Sequence, residues 1–228
     1  MRPTRTAPSR QPHWRVLLIG GHSGAGKSTA AERIARELRA AWLMVDDLRL
    51  ALQRSRAILP TPAATAALHF HKTPRWWRHP APRLRDAQIA VARAMSPALE
   101  VVIENHVDQQ LPLVLEGDGI LPALLARPPV RARSGGGRVR AVFLVEPDEA
   151  ALLANVEARG RESTFMTADE VRTLVRARWL YGQWLARQAG RAGLPVLQPR
   201  PWETLAQRIV GAAWPPAGDQ EPPRGQGG

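Results

Sequence analysis

The segment Gly21-His22-Ser23-Gly24-Ala25-Gly26-Lys27-Ser28, set between an apolar run and an amphipathic one, restricts the architecture of this chain more than any other feature. It matches G-x-x-x-x-G-K-[ST] at every fixed position and is followed by Thr29. Before it, Val16-Leu17-Leu18-Ile19 reads as a strand buried on both faces and closed by paired glycines. After it, Ala31, Ile34, Ala35 and Leu38 recur at helical spacing with charges between them. Glycines in such a turn let successive amides point inward, and the helix that follows directs its positive end to the same place. Lys27 reaches outer phosphate oxygens there, and the Ser28 hydroxyl is offered to magnesium. The loop from Gly21 through Thr29 therefore predicts a bound nucleoside triphosphate with Mg2+. A plain glycine turn has no use for a lysine and a hydroxyl at that spacing.

The remaining chain repeats the strand-then-helix theme. Ala41 to Val45 reads as a second strand ending in Asp46-Asp47, with a helix from Leu48 to Ala57. Residues 59–83 interrupt the pattern with many prolines, three histidines and the cluster Arg75-Trp76-Trp77-Arg78, so a long functional loop or an irregular insertion is expected. A helix follows from Leu84 to Met95, and Ser96-Pro97 then resembles an N-cap with proline at the first helical position, opening another helix to Val107. Leu113 to Glu116 is a third strand, and residues 127–138, with three successive glycines, are expected to form a flexible surface loop. Val139 to Val145 is a fourth strand and Pro147 to Ala158 a helix. Thr167-Ala168-Asp169-Glu170 has the form of a capping box, opening a helix to Ala189. A fifth strand over Gly193 to Gln198 and a last helix over Pro201 to Ala213 complete an α/β pattern of parallel strands covered on both faces. The expected domain spans residues 14–214, between a disordered basic arm (1–13) and a disordered Pro/Gly-rich tail (215–228).

Composition narrows the classes. The chain has no cysteine, which removes disulfides, thiolate metal sites and thiol nucleophiles together and suits a reducing, cytoplasmic setting. Its longest apolar runs are too short to cross a bilayer, so no membrane partner is expected. The net charge of +12 invites a nucleic-acid reading, but the arginines are dispersed along the chain and form no single stripe. The expected partner is a small molecule, and the sequence carries no signature of an oligomeric state. Lysine occurs only at positions 27 and 72, so a chain that otherwise uses arginine has placed a compact ammonium inside the glycine loop.

With these residues in view, the chain resembles the P-loop NTPases that act as small-molecule kinases, a group that includes nucleoside, gluconate, shikimate and 2-phosphoglycerate kinases. The likeness rests on the glycine loop, the run Asp46-Asp47-Leu48-Arg49, the strand end Glu116-Gly117 and the arginines Arg159 and Arg161. It implies a three-layer fold with a five-stranded parallel sheet, ATP and Mg2+ as cofactors, and transfer of a phosphoryl group to a small hydroxylated acceptor. The run after the second strand and the Glu-Gly strand end are most like the 2-phosphoglycerate type. Leu48 and Asp118-Gly119 depart from that pattern, so its substrate does not carry over.

Within this resemblance Asp46 is expected as the base, with Asp47 as the other candidate and helix capping as the competing job for either. Arg49 is placed to hold an anionic part of the acceptor, or to be a solvated arginine. Glu116 and Asp118 fall on the magnesium side with Ser28; Gly117 and Gly119 would also suit an acidic turn. Arg159 and Arg161 stand where the group carries a lid (159–167), although cations also favour any helix C-terminus. Residues 59–83 fall where the group places its acceptor-binding insertion, so Trp76 and Trp77 are candidate substrate contacts or simple packing residues. His69, His71 and His79 lack the paired spacing of a zinc site. Pro201, in the turn after the fifth strand, either borders the nucleotide base or merely starts the last helix.

Overall fold

The computed structural model describes residues 14–160 and 162–215. The expected arm, the tail beyond residue 215 and Arg161 lie outside the described residues. Five strands, β1 (Val16–Gly21), β2 (Ala41–Met44), β3 (Leu113–Gly117), β4 (Val139–Leu144) and β5 (Val196–Leu197), form one parallel sheet in the order β2-β3-β1-β4-β5. In β1, Leu17 and Ile19 enter one apolar cluster while Val16 and Leu18 enter the other, which is why the strand reads as an unbroken apolar run.

Two helices, α1 (Lys27–Leu38) and α8 (Leu205–Ala213), cover the face of Leu17 and Ile19 through Ile34, Ala31, Leu205 and Ile209. The opposite face is covered by α4 (Ala81–Asp108) and α7 (Ala168–Arg191), through residues such as Met95, Leu99, Ile103, Tyr181 and Leu185. A third cluster joins α6 (Glu149–Arg159) to α7 and the start of α4. The three-layer α/β fold is therefore as expected. No helix among the described residues is long and apolar enough to cross a membrane. The Thr167 capping box is fully formed, its hydroxyl accepting from the Glu170 amide and the Glu170 carboxylate from the Thr167 amide.

Several local expectations are corrected. Asp46 and Asp47 do not end the second strand: they occupy the first turn of α2 (Val45–Arg54). Val45 is buried against Gly117 and Gly119, which anchors the first residue of the helix, and the helix dipole favours the two carboxylates that follow. Ser96-Pro97 starts no helix, because α4 runs straight through it. Residues 59–83 are not a loop: they hold α3 (Pro62–Leu68), capped by the Thr61 hydroxyl, and short 3-10 turns at Phe70–Lys72 and Trp76–Arg78. Residues 127–138 contain α5 (Pro128–Arg133) and a 3-10 turn at Gly135–Gly137. Buried Val130 and the two-pronged bond from Arg133 to Asp108, 2.9 Å at each prong, tie that segment to α4. The last helix begins at Leu205, after a 3-10 turn over Trp202–Thr204, and β5 is shorter than expected.

Candidate active site

The carboxyl ends of β1, β2 and β3 border two adjoining cavities, the end of a parallel sheet where ligands bind. The larger, about 780 Å³, runs along the glycine loop. The smaller, about 240 Å³, lies beyond it toward α4 and α7. Ser23, Asp46 and Asp118 belong to the walls of both.

The glycine loop has the conformation its spacing demands. Gly24 (φ 95°) and Gly26 (φ 74°) are in the left-handed region, where a side chain would be strained. A Cβ on Gly24 would also strike Leu152, and one on Gly26 would strike the ring of Trp202. Gly21 lies close against the Leu144 backbone, and Ala25 is fully buried. Ser23, Gly24, Gly26, Lys27, Ser28 and Thr29 face the larger cavity. His22 does not: its ring is buried against Gly182 of α7. Its Nε2 accepts from the Glu146 amide at 2.9 Å, so Nδ1 is the protonated nitrogen and donates to the Ser23 carbonyl at 3.0 Å. Burial lowers the His22 pKa to about 4, with Lys27 adding to the effect, and the imidazole is neutral at physiological pH.

Lys27 is buried and donates to the Asp118 carboxylate at 2.6 Å and to the His22 carbonyl at 2.9 Å. Burial alone would raise the Asp118 carboxyl, but the ammonium of Lys27 outweighs it and holds the group below its ordinary value. Tyr181, fully buried on α7, donates its hydroxyl to the Asp118 main-chain carbonyl. Ser28 donates to Glu116 Oε1 at 2.8 Å. Glu116 is pushed up by burial, and Lys27 and the Ser28 hydroxyl only partly oppose that. A hydroxyl and a buried carboxylate facing each other beside the loop form an oxygen donor set that fits a hard cation such as Mg2+, which would favour the ionised carboxylate. No cluster of three or more His, Asp or Glu side chains suited to a metal occurs among the described residues.

The other expected residues divide between the cavities. Asp47 lines only the larger one, and Arg49 and Trp76 only the smaller. Arg49 is held by Asp46 at 3.2 Å and by Gln53 at 3.3 Å. Trp77 is in the wall of neither cavity; it packs edge-on against Phe165, with ring centres 5.5 Å apart. Arg159 lines the larger cavity, its guanidinium 3.5 Å from where a side chain on Gly24 would begin. Pro201 lines neither cavity; its neighbour Trp202 borders the larger one with Leu205 and Ala206.

Sequence reasoning missed three polar residues of the smaller cavity, namely Gln88, Arg178 and Tyr181, together with its apolar wall of Leu84, Leu174 and Ala177, and assigned no site role to His71. The His71 pKa is lowered to about 4 by burial and by the Arg49 charge, so a neutral imidazole stands between arginines. Arg178 is one of several arginines on α7, and nothing in its spacing separates it from Arg172 or Arg176, which pair with Asp169 and Glu149 at the surface.

Among solved structures, the chain is similar to a gluconokinase from Sinorhizobium meliloti, at 17% identity over 90% of this chain and 93% of that one, with a TM-score of 0.48. It is also similar to a shikimate kinase from Acinetobacter baumannii in complex with shikimate (15%, covering 87% and 92%, TM-score 0.47). A sugar kinase from Janibacter sp. gives 19% identity, 87% and 94% coverage and a TM-score of 0.47. No curated protein matches the sequence. The model of the AAA domain family matches residues 16–182, most of the chain, with the glycine loop, both cavities' carboxylates and α7 as far as Gly182 inside the match, and the chain belongs to that family.

Proposed function

We propose that this protein transfers the γ-phosphoryl group of ATP to a hydroxyl of a small molecule seated in the smaller cavity. The observation that carries the reading is the shared wall: Asp46 borders both cavities, whereas Asp47 faces only the larger. A carboxylate there meets an acceptor hydroxyl on one side and the group to be transferred on the other. In this reading Lys27 and Arg159 balance the phosphate charge, and the amides of the glycine loop orient it. Ser28 and Glu116 would hold Mg2+, which when bound neutralises charge on the phosphate oxygens. Asp46 accepts the hydroxyl proton as the new O–P bond forms and the bond to ADP breaks, so ADP leaves with its electron pair. Arg49, His71, Trp76 and Arg178 surround the acceptor. Apolar walls from Leu84, Leu174 and Ala177 help to exclude water.

The test is mass spectrometry of pooled cell metabolites incubated with protein and Mg·ATP, seeking species that gain one phosphate. Lys27→Ala is expected to abolish the gain. Asp46→Asn should lower transfer by about 10²-fold while leaving nucleotide affinity within about twofold, and Asp47→Asn should leave transfer largely intact. Transfer retained in Asp46→Asn but lost in Asp47→Asn would move the base to Asp47. Hydrolysis stimulated only by nucleic acid, with no phosphorylated metabolite, would overturn the reading altogether.

A further inference from the structure

Two arginines stand on opposite sides of the site, Arg159 at the larger cavity and Arg178 at the smaller. Glu162 stands between their elements. It follows Arg159 by three residues, in the 3-10 turn Glu162–Thr164 that leaves α6, and its Oε1 pairs with Arg178 Nη1 at 2.7 Å. This differs in kind from the surface pairs of α7. Side-chain exposure is 18% for Arg178 and 10% for Glu162, against 57% and 88% for Arg172 and Asp169. A pair so shielded from water is weakly screened and holds its geometry. The contact is a close ion pair without hydrogen-bond alignment at Arg178 Nη1, and it keeps the planar guanidinium beside the carboxylate.

We infer that Glu162 is a positioning residue that couples the two cavities, holding Arg178 at the acceptor wall through an ion pair that lies three residues beyond the triphosphate-facing Arg159. The inference rests on the reading of the larger cavity as the triphosphate site. A triphosphate that engages Arg159 beside the glycine loop changes the field felt by Glu162, and the carboxylate relays that change to Arg178. Gly160 closes α6 in a left-handed conformation, and the Glu162 carbonyl accepts from the Phe165 and Met166 amides, which fixes the backbone that carries the carboxylate. The far end of the turn is anchored by buried Met166 and the Thr167 cap. Electrostatics agree in direction. Burial would raise the Glu162 carboxyl, but Arg178 foremost, with Arg159 contributing, keeps it below the ordinary value, so the group is ionised and feels both guanidiniums.

The experiment follows the Arg178 Nε–H resonance in isotope-labelled full-length protein, assigned by its disappearance in R178K, while the non-hydrolysable ATP analogue AMP-PNP is added with Mg2+. Calorimetry reports binding of the analogue independently. In the wild type the resonance is expected to shift as the analogue binds. In E162Q the analogue should bind within about threefold of wild-type affinity, and the resonance should no longer follow. E162D, which keeps the charge on a shorter arm, should restore part of the shift, an outcome that a merely structural role would not produce. Should E162Q fail to fold, E162D carries the test, because a shift undiminished by the shorter arm overturns the coupling. An equal response in E162Q, or none in a wild type that binds the analogue, also overturns it. A wild type that binds no analogue instead brings down the triphosphate reading on which the inference rests.

Discussion

His22 and His71 are two imidazoles that the fold keeps uncharged, and each does so for a local reason. His22 is enclosed between the glycine loop and α7, and its Nε2 must remain an acceptor for the Glu146 amide. His71 is edge-on to Trp76, with ring centres 4.5 Å apart, and faces the charge of Arg49. Both have pKa values lowered from 6.5 to about 4. Above pH 6.5 both are neutral in folded and unfolded chains and contribute no pH dependence. Between pH 6.5 and 4 the unfolded chain takes up protons that the folded one refuses, so stability falls as pH falls. Below about 4 the folded form is protonated too and this contribution levels off. The loss approaches about 3 kcal/mol per imidazole at the lower end. Urea unfolding at pH 7 and pH 4.5 is expected to show the decline, with His71→Phe removing about half of it; an unchanged slope in that variant would contradict the burial of His71. At this scale Lys27, Ser28, Glu116 and Asp46 were legible in the sequence because each belongs to a short pattern. Arg178 and His71 were not, because what separates them from other arginines and histidines is the burial they acquire from distant segments.

Among the elements, α4 is the instructive one. Ser96-Pro97 carries the local mark of a helix start, yet the helix continues through it. Proline at 97 removes the amide that would bond to the Arg93 carbonyl, a cost usually decisive inside a helix. Here Leu84, Ile89, Val91, Met95, Leu99, Ile103 and Val107 are buried on both sides of the interruption, and Pro97 itself faces solvent. Ser96 is folded back onto the Ala92 carbonyl at 3.1 Å instead of capping. Burial of a continuous apolar face thus outweighs one missing hydrogen bond. Pro97→Ala is accordingly expected to stabilise the protein by about 1 kcal/mol, less than the full cost of an interior proline because the unfolded chain also gains freedom. A higher urea midpoint at unchanged slope would bear this out, and a lower one would contradict it. Of the two readings of residues 59–83, a long loop or an irregular insertion, the loop failed similarly: prolines and histidines looked like breakers, but Pro62 opens α3 and Thr61 caps it.

At the scale of the whole molecule, the function proposed here depends on how that segment is docked. Leu68 is fully buried in the α4 side of the core, and its carbonyl accepts from buried Gln53 of α2 at 2.5 Å. Lys72 donates to the Gln53 carbonyl at 2.8 Å, and Arg78 pairs with Glu170 of α7 at 2.6 Å. These ties bring His71 and Trp76 to the smaller cavity without touching the glycine loop. Leu68→Ala should destabilise the protein by about 2–4 kcal/mol. At temperatures where it remains folded, it should impair phosphoryl transfer more than binding of AMP-PNP. Equal loss of both, measured by calorimetry and by transfer to pooled metabolites, would mean that the two cavities do not separate in this way.

What the sequence by itself determined is local in range: a buried strand, a glycine turn and a helix in succession, the placement of Lys27 and Ser28 on that turn, and the alternation that demands a covered parallel sheet. Such features follow from backbone sterics and from the spacing of apolar residues, and both act within a few positions. Only the tertiary structure decided that Asp46 stands in a wall common to two cavities, that Trp76 faces one of them while Trp77 turns away, and that Arg178 is chosen from the arginines of α7. Those outcomes depend on how helices rotate to bury their apolar faces against the sheet, a choice made by contacts between residues far apart in the chain.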